Sequence, residues 1–239
     1  MPKFFVNKGQ ISGDVITIIG EDTLHISKVL RMCEGDNLTV CDGEGDDYST
    51  IISSITKNEV TARIISKKRC EAEPNVSVTL FQSLPKQGKM EYIIQKNTEL
   101  GIAKIVPVYS KRCVVKPTDK LSRWQKVAIE AAKQCGRGVI PQITEVVTFD
   151  EALEQLSQCE NAIMLYECEM ETRLKDVIGG RKFTNIGILI GPEGGFDETE
   201  VQRAKSFNIQ TITLGKRILR TETAGAAVLP IIMYEQGDI

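Results

Sequence analysis

The sequence predicts an α/β protein in which a small β-domain precedes a parallel sheet covered by helices. The first 70 or so of its 239 residues form short segments rich in β-branched residues, separated by Gly, Asp and Asn. From about residue 74 onward, strand-like segments alternate with helical ones. The later strands are apolar on both faces, which is typical of a parallel sheet buried between two layers of helices.

The β-domain is predicted to be a small barrel over residues 1–70. One helix, in residues 22–32, interrupts its strands, and Asp22 or Thr23 can cap the start of that helix. Its apolar residues follow helical spacing only roughly. The acidic loop of residues 42–48 favours a hairpin over a calcium site, because it lacks the ligand spacing of a calcium loop. The predicted strands are GDVITII, DNLTVCD, YSTIISSI and EVTARIIS.

The second domain is predicted to cover residues 74–239. Two capping boxes, Thr148 to Glu151 and Asp197 to Glu200, mark the starts of helices. Pro230 falls within the final helix, where the missing backbone donor should kink or end it. The strands are VSVTLFQ, AKIVPVY, QITEVV, NAIMLYE, IGILIG and IQTITLG, and the two helices with the clearest apolar stripes are KMEYIIQKNTELG and KLSRWQKVAIEAAKQCG.

The composition excludes several classes of protein. With 41% hydrophobic residues the chain can bury a core, and no apolar run approaches the roughly 20 residues needed to cross a bilayer. The seven cysteines include no C-x-x-C pair, and the single histidine, His25, offers little help in binding zinc. We therefore expect reduced, mostly buried thiols, no metal, no membrane partner and a cytoplasmic location.

Charge is distributed unevenly along the chain. The net charge is −2, but residues 81–138 carry twelve Lys and Arg against four Asp and Glu. A basic segment within an acidic chain can form the positive face on which phosphates dock. It can equally be a solvated helix surface, and charge alone does not separate the two interpretations.

Two glycine-containing loops follow predicted strands, ILIGPEGGFDETE at residues 188–200 and TLGKRILRTETAG at residues 213–225. Ligands of parallel sheets bind outside the carboxyl ends of the strands, so both loops lie where a site is expected. Neither loop matches a phosphate-binding motif, and Glu193 would repel a phosphate. The glycines suit a neutral or zwitterionic ligand, such as an adenine or ribose held by main-chain groups. The alternative is that they only form a tight turn.

IGPEGGF followed by LGKRILRTETAG resembles the C-terminal signature of the SPOUT-class RNA methyltransferases. The chain is more narrowly similar to the bacterial small-subunit ribosomal RNA uracil-N3 methyltransferases of the RsmE family. Three further blocks resemble that family in the same order, so the likeness covers nearly the whole chain. These blocks are HISKVLRMCEGDNLTVCDGEG, LPKQGKMEYIIQKNTELGIAKIVPVYSKRCVVK and RWQKVAIEAAKQCGR.

The resemblance implies a PUA-like β-barrel at residues 1–70 and a SPOUT domain at residues 74–239 with a C-terminal trefoil knot, an exception to the rule that chains do not thread loops. It also implies S-adenosylmethionine as the methyl donor and a homodimer. The positions that match the family's cofactor-binding loops are Leu165, Gly191, Pro192, Glu193, Gly194, Gly195, Leu214, Gly215, Ile218, Leu219, Arg220 and Thr223.

The implied reaction transfers a methyl group to N3 of one uridine of 16S ribosomal RNA, position 1498, in the small ribosomal subunit. This atom carries a proton at neutral pH, so the enzyme must unpair the base and favour its anion. Arg220 is the candidate donor to the uracil carbonyls, and Glu222 is the candidate acceptor of the N3 proton. The alternative for Glu222 is a first-turn residue stabilised by the helix dipole.

Nine residues are expected to contact RNA, mostly at phosphates. His25 can equally be a buried, hydrogen-bonded ring. A non-catalytic RNA-binding module or an enzyme that binds ATP or NAD remain as alternative functions. The nine expected contacts are His25, Lys28 and Arg31 in the barrel, and Lys86, Lys89, Arg112, Arg123, Gln134 and Arg137 in the basic segment.

Overall fold

A computed structural model describes residues 3–86, 88–116 and 119–239. The chain separates into two compact units. The N-terminal unit consists of the residues up to Glu73 together with Ala132–Ile140. The C-terminal unit consists of Pro74–Ala131 and Pro141–Ile239.

The N-terminal unit is built on a sheet of six strands within its described residues, in the order β1-β4-β5-β6-β3-β2. All neighbouring strands are antiparallel except β1 and β4. One face buries an apolar cluster that includes Phe4, Ile16, Leu38 and Val60, since alternate residues of a strand share a face. The strands are β1 (Lys3–Phe5), β2 (Ile11–Ser12), β3 (Val15–Ile19), β4 (Asn37–Cys41), β5 (Asp46–Ile55) and β6 (Glu59–Arg69).

The helix expected at residues 22–32 is one short α-helical turn, α1 (Glu21–Leu24), that continues into a wider π-type turn over His25–Val29. Ile26 is fully buried, whereas Val29 is 68% exposed. The apolar side chains therefore do not form a single buried stripe, which accounts for their irregular spacing in the sequence.

The C-terminal unit contains a parallel sheet of seven strands among its described residues. The order is β10-β8-β7-β12-β11-β13, and β9 also pairs with β8. Five of the six residues of the central strand β12 are buried, as expected for a strand covered on both faces. The strands are β7 (Ser77–Ser83), β8 (Lys104–Tyr109), β9 (Gln142–Ile143), β10 (Val147–Thr148), β11 (Asn161–Leu165), β12 (Asn185–Ile190) and β13 (Gln210–Ile212).

Helices connect these strands, and both predicted capping boxes are present. The Thr148 amide donates to Glu151 at 2.7 Å, and the Asp197 amide donates to Glu200 at 2.9 Å. The helices are α2 (Lys89–Glu99), α3 (Leu121–Cys135), α4 (Phe149–Leu156), α5 (Leu174–Ile178), α6 (Glu198–Ser206) and α7 (Thr221–Gln236). The α/β class predicted from the sequence is confirmed.

Three local expectations differ from the structure. Pro230 does not end the last helix, because α7 continues to Gln236, where buried Leu229, Ile232 and Met233 hold it against the core. The single strand expected at QITEVV is two short strands, β9 and β10. The short helix α5 was not predicted, since its five residues are too few to show a helical period.

The cysteines form no disulfide within the described residues. Among the described residues only Cys41 and Cys70 are buried, so the expectation of mostly buried thiols is too broad. Burial raises the pKa of the Cys41 thiol to about 12, which keeps it protonated at neutral pH.

Candidate functional site

Three loops of the C-terminal unit leave the same edge of the parallel sheet. Strand β11 lies between β12 and β13, with Met164 opposite Leu189 and Leu165 opposite Ile212. Their carboxyl ends therefore point the same way, and the loops that follow are neighbours. The structure thus brings together the three chain segments to which the family resemblance assigns cofactor binding. We call them, with the first residues of α2 and α7, the strand-end site.

The loop at residues 191–197 requires glycine at Gly195. This residue has φ +66°, a left-handed conformation that other residues adopt only at a cost. A Cβ atom built there would lie 1.9 Å from the Glu167 carboxylate, in the loop that follows β11. The absence of a side chain at Gly195 therefore allows a close approach between these two loops.

Two basic residues that follow β8 form polar contacts with this loop. The Arg112 guanidinium donates to the Gly194 carbonyl at 3.0 Å, and the Lys111 ammonium lies 3.0 Å from Asp197. Hydrogen bonds from Thr199, followed by those from Lys111, hold the pKa of Asp197 well below its usual range. Arg112, expected to contact RNA, is thus already engaged with the glycine loop.

Lys89 joins the two carboxylates that the sequence assigns to cofactor binding and catalysis. Its ammonium lies 3.1 Å from Glu193 and 3.0 Å from Glu222. Hydrogen bonds that Lys89 donates to Glu222 and then to Glu193 raise the pKa of Lys89. Burial acts to raise the pKa of Glu222, but the backbone amide of that residue and Lys89 outweigh it, so the pKa is lowered. A carboxylate with a lowered pKa is a weak proton acceptor.

The loop between β13 and α7 is open to solvent. Ile218 is 83% exposed, and Arg220, the N-cap residue of α7, is exposed as well. The Arg220 side chain forms no ion pair with a described residue, so its charge is available to a ligand at the helix N-terminus. Of the other predicted contacts in this loop, Leu214 and Leu219 are half-buried, whereas Gly215 and Thr223 are exposed.

The predicted RNA contacts of the basic segment differ in their surroundings. Lys86 is exposed, and its backbone amide donates to Glu193 at 3.0 Å. Arg123 is also exposed, but its guanidinium pairs with Glu91 at 3.1 Å. Gln134 is exposed in the N-terminal unit.

The surroundings of Arg137 do not suit the RNA contact predicted for it. It is only 3% exposed, and its guanidinium pairs with Glu73 at 2.8 Å inside the N-terminal unit. Glu73 also accepts hydrogen bonds from the amides of Gly138 and Val139. This arrangement anchors residues 137–139 and does not present Arg137 to a phosphate.

The remaining predicted contacts lie together on one exposed turn, residues 25–31. His25, Lys28 and Arg31 are all exposed, and the His25 ring packs edge-on against Phe4 with centroids 5.8 Å apart. The buried-ring alternative for His25 is therefore wrong. Neither Lys28 nor Arg31 forms an ion pair with any described residue.

Sequence reasoning missed two residues of the strand-end site, Gln82 and Thr221. The Gln82 amide donates to the Thr221 hydroxyl at 2.9 Å, and that hydroxyl donates to the Gly191 carbonyl at 2.6 Å. A polar residue that closes the apolar strand VTLFQ was the only sign of this arrangement in the sequence.

Residues 72–233 match the RNA methyltransferase domain family, and residues 18–73 match the RNA methyltransferase PUA domain family. The chain belongs to this family of RNA methyltransferases. The resemblance inferred from the sequence, including the PUA-like N-terminal domain, is confirmed.

Three relatives are similar to the chain over nearly its whole length. The ribosomal RNA small subunit methyltransferase E of Bacillus subtilis strain 168 is 35% identical over 98% of this chain and 97% of its own. The crystal structure of the protein of that name from Neisseria gonorrhoeae, bound to S-adenosyl methionine, is 32% identical with a TM-score of 0.87, covering 98% of this chain and 97% of its own. A methyltransferase from Legionella pneumophila, solved with the same cofactor, is 28% identical with a TM-score of 0.85, covering 97% of this chain and 96% of its own.

The described residues contain no cluster of three or more His, Cys, Asp or Glu side chains placed to hold a metal ion. Among them there is also no helix with the length and apolar character needed to cross a membrane.

Proposed function

We propose that the protein transfers a methyl group from S-adenosylmethionine to N3 of a uridine, position 1498, of 16S ribosomal RNA in the small ribosomal subunit. The observation that carries the proposal is the convergence of three loops at one edge of the parallel sheet. The relatives named for small-subunit ribosomal RNA methylation, with identities up to 35%, support the substrate class.

The strand-end site fits the proposed cofactor in charge and shape. S-adenosylmethionine carries a positive sulfonium, and the site offers two carboxylates, Glu193 and Glu222, that can attract it beside the Lys89 ammonium. Gly195 lets the loop after β12 pack against Glu167 of the loop after β11, which brings together two of the three loops proposed to bind the cofactor. When bound, the cofactor supplies an activated methyl group, so the protein needs to provide no metal.

Arg220 is proposed to favour the uracil anion by donating to a carbonyl oxygen of the base. Its exposed guanidinium stands at the N-terminus of α7, where the helix dipole also favours negative charge. Glu222 is proposed to accept the N3 proton. Its lowered pKa makes it a weak base, but its carboxylate is still a stronger base than water.

The exposed turn at residues 25–31 is proposed to bind RNA through the phosphates. Lys28 and Arg31 offer two unpaired positive charges there, and Lys86 offers a third in the C-terminal unit. Such contacts position a folded RNA without reading its sequence.

Three structural features implied by the family resemblance remain proposals. They are the domain boundaries at residues 1–70 and 74–239, the trefoil knot and the homodimer. The homodimer is tested by light scattering after size exclusion, since a particle of 26.5 kDa at micromolar concentration would contradict it.

The substrate is tested by incubating unmodified small subunits, protein-free 16S RNA and transfer RNA with labelled S-adenosylmethionine. Digestion and mass spectrometry then identify the modified nucleoside. We expect 3-methyluridine in the small subunit only. Label on transfer RNA alone, or on a ribose or a cytosine, would overturn the substrate assignment.

A further inference from the structure

Gln82 is a fully buried polar residue at the carboxyl end of the central strand β7. It lies opposite Ile190 of β12 and Pro107 of β8, so apolar residues flank it on both neighbouring strands. A buried amide in such surroundings is costly unless its hydrogen bonds are made. Its Nε2 atom donates to the Ser83 carbonyl at 3.0 Å and to the Thr221 hydroxyl at 2.9 Å.

The hydrogen bonds of Thr221 fix the orientation of this amide. A hydroxyl has one proton to donate, and the proton of Thr221 is directed at the Gly191 carbonyl oxygen, 2.6 Å away. Gln82 must therefore be the donor to Thr221. Its Oε1 atom is consequently buried with no hydrogen-bond partner among the described residues. The structure tolerates one unsatisfied acceptor in order to keep the Gln82, Thr221 and Gly191 groups connected.

This connection joins two loops that the sheet itself does not join. Gly191 begins the loop after β12, and Thr221 begins α7, directly after the loop that follows β13. Strand β11 separates β12 from β13, so no ladder hydrogen bond links the two strands. The hydroxyl of Thr221 spans that gap, and Gln82 ties it to β7.

We propose that Gln82 and Thr221 are positioning residues, and that their hydrogen bonds set the separation of the two loops that bind S-adenosylmethionine. The inference depends on the proposed function for the identity of the cofactor. It adds two residues that act through Gly191 and the start of α7, and that do not themselves touch the reacting atoms.

The test replaces the Thr221 hydroxyl by a methyl group of similar shape. Thr221→Val should weaken S-adenosylmethionine binding about tenfold in calorimetry, because a buried donor and acceptor lose their shared partner. Thr221→Ser keeps the hydroxyl and should restore binding to within about threefold. Thr50→Val is the matched control in the N-terminal unit, since Thr50 is also buried and its hydroxyl donates to the Leu38 carbonyl at 3.0 Å. It should leave the affinity unchanged.

A double variant separates positioning from a general loss of packing. If Gln82 acts through Thr221, Gln82→Met combined with Thr221→Val should weaken binding no more than the worse single variant. Additive losses would overturn the inference, as would wild-type affinity in Thr221→Val.

Hydrogen exchange keeps the inference testable without the cofactor. In the free protein, Thr221→Val should increase amide exchange in peptides covering residues 191–197 and 214–220, and Thr50→Val should not. If the wild-type protein fails to bind S-adenosylmethionine, the proposed function fails and exchange alone decides the role of the two residues. Unchanged exchange in both peptides would then overturn it.

Discussion

The strand-end site and the exposed turn at residues 25–31 use charged residues in opposite ways. At the strand-end site, Lys89 binds two carboxylates and Arg112 donates to the Gly194 carbonyl. On the exposed turn, Lys28 and Arg31 extend into solvent with no ion pair to any described residue. The first arrangement holds the loops of the site in place, whereas the second leaves positive charge available to a ligand.

This difference follows from what each region is proposed to bind. A small cofactor held by main-chain groups needs loops in a fixed geometry, and bound side chains provide it. Binding of an RNA phosphate needs an accessible cation on the protein, which displaces counterions from the RNA. A basic residue can therefore either hold the structure together or bind phosphate. Arg137 lies in the N-terminal unit, but its ion pair with Glu73 gives it the structural role.

The largest expected effect is the loss of stability in Arg137→Ala, because Arg137 is buried in an ion pair with Glu73. Removing one partner of a buried ion pair strands the other, so we expect a loss of about 3–5 kcal/mol of unfolding free energy. Arg31→Ala, the exposed counterpart, should change stability by less than about 0.5 kcal/mol. Urea denaturation measures both. Equal stabilities for the two variants would contradict the structural role of Arg137.

Gly195→Val should have the next largest effect. A β-branched residue at φ +66° is strained, and its side chain would displace Glu167, so we expect cofactor affinity to fall about 10- to 100-fold. Gly180→Val is the matched control, because Gly180 has φ +67° and no atom of a described residue lies within 4 Å of a Cβ atom built there. Calorimetry with S-adenosylmethionine compares them. If Gly180→Val loses as much affinity, backbone strain and not the close approach to Glu167 is responsible.

The fold was predictable because its signals are local and repeated. Alternation of apolar strands and helices predicts a parallel sheet, and the Asp197 to Glu200 capping box marks the start of α6 from four residues alone. The position of the strand-end site followed from the same pattern, since ligands bind at the carboxyl edge.

The partners of individual side chains were not predictable. Lys89 is 104 residues from Glu193 and 133 residues from Glu222 in the sequence, and spacing gives no sign of such contacts. Arg137 and Arg31 were both predicted to contact RNA, and only burial distinguishes them. Gln82 and Thr221 were missed for the same reason, because their hydrogen bond joins residues 139 apart.

A smaller effect, on the salt dependence of RNA binding, is expected from substitution in the exposed turn at residues 25–31. If Arg31 contacts one RNA phosphate, Arg31→Ala should reduce the slope of log affinity against log salt by about 0.7–0.9. Lys68→Ala is the control, since Lys68 is an exposed lysine of the same unit that already pairs with Glu71 at 3.2 Å. Filter binding to small subunits between low and moderate salt measures the slope. An unchanged slope for Arg31→Ala would remove this residue from the RNA surface.

The smallest expected effect is that of the Lys89 ion pairs on the pH dependence of stability. The pKa of Glu222 is lowered in the folded protein, so this group stabilises the fold above its unfolded pKa of about 4.3, and that contribution is lost as pH falls through the folded pKa. Lys89→Met removes the ammonium and should raise the pKa of both Glu222 and Glu193. The acid decline in stability should then begin at a higher pH than in the wild type. Urea midpoints measured from pH 7 to pH 3 compare the two proteins, with Lys68→Ala again as the control. If Lys89→Met and wild type decline together, Lys89 does not hold these carboxylates in solution, and the contrast between the fixed strand-end site and the exposed turn loses its main support.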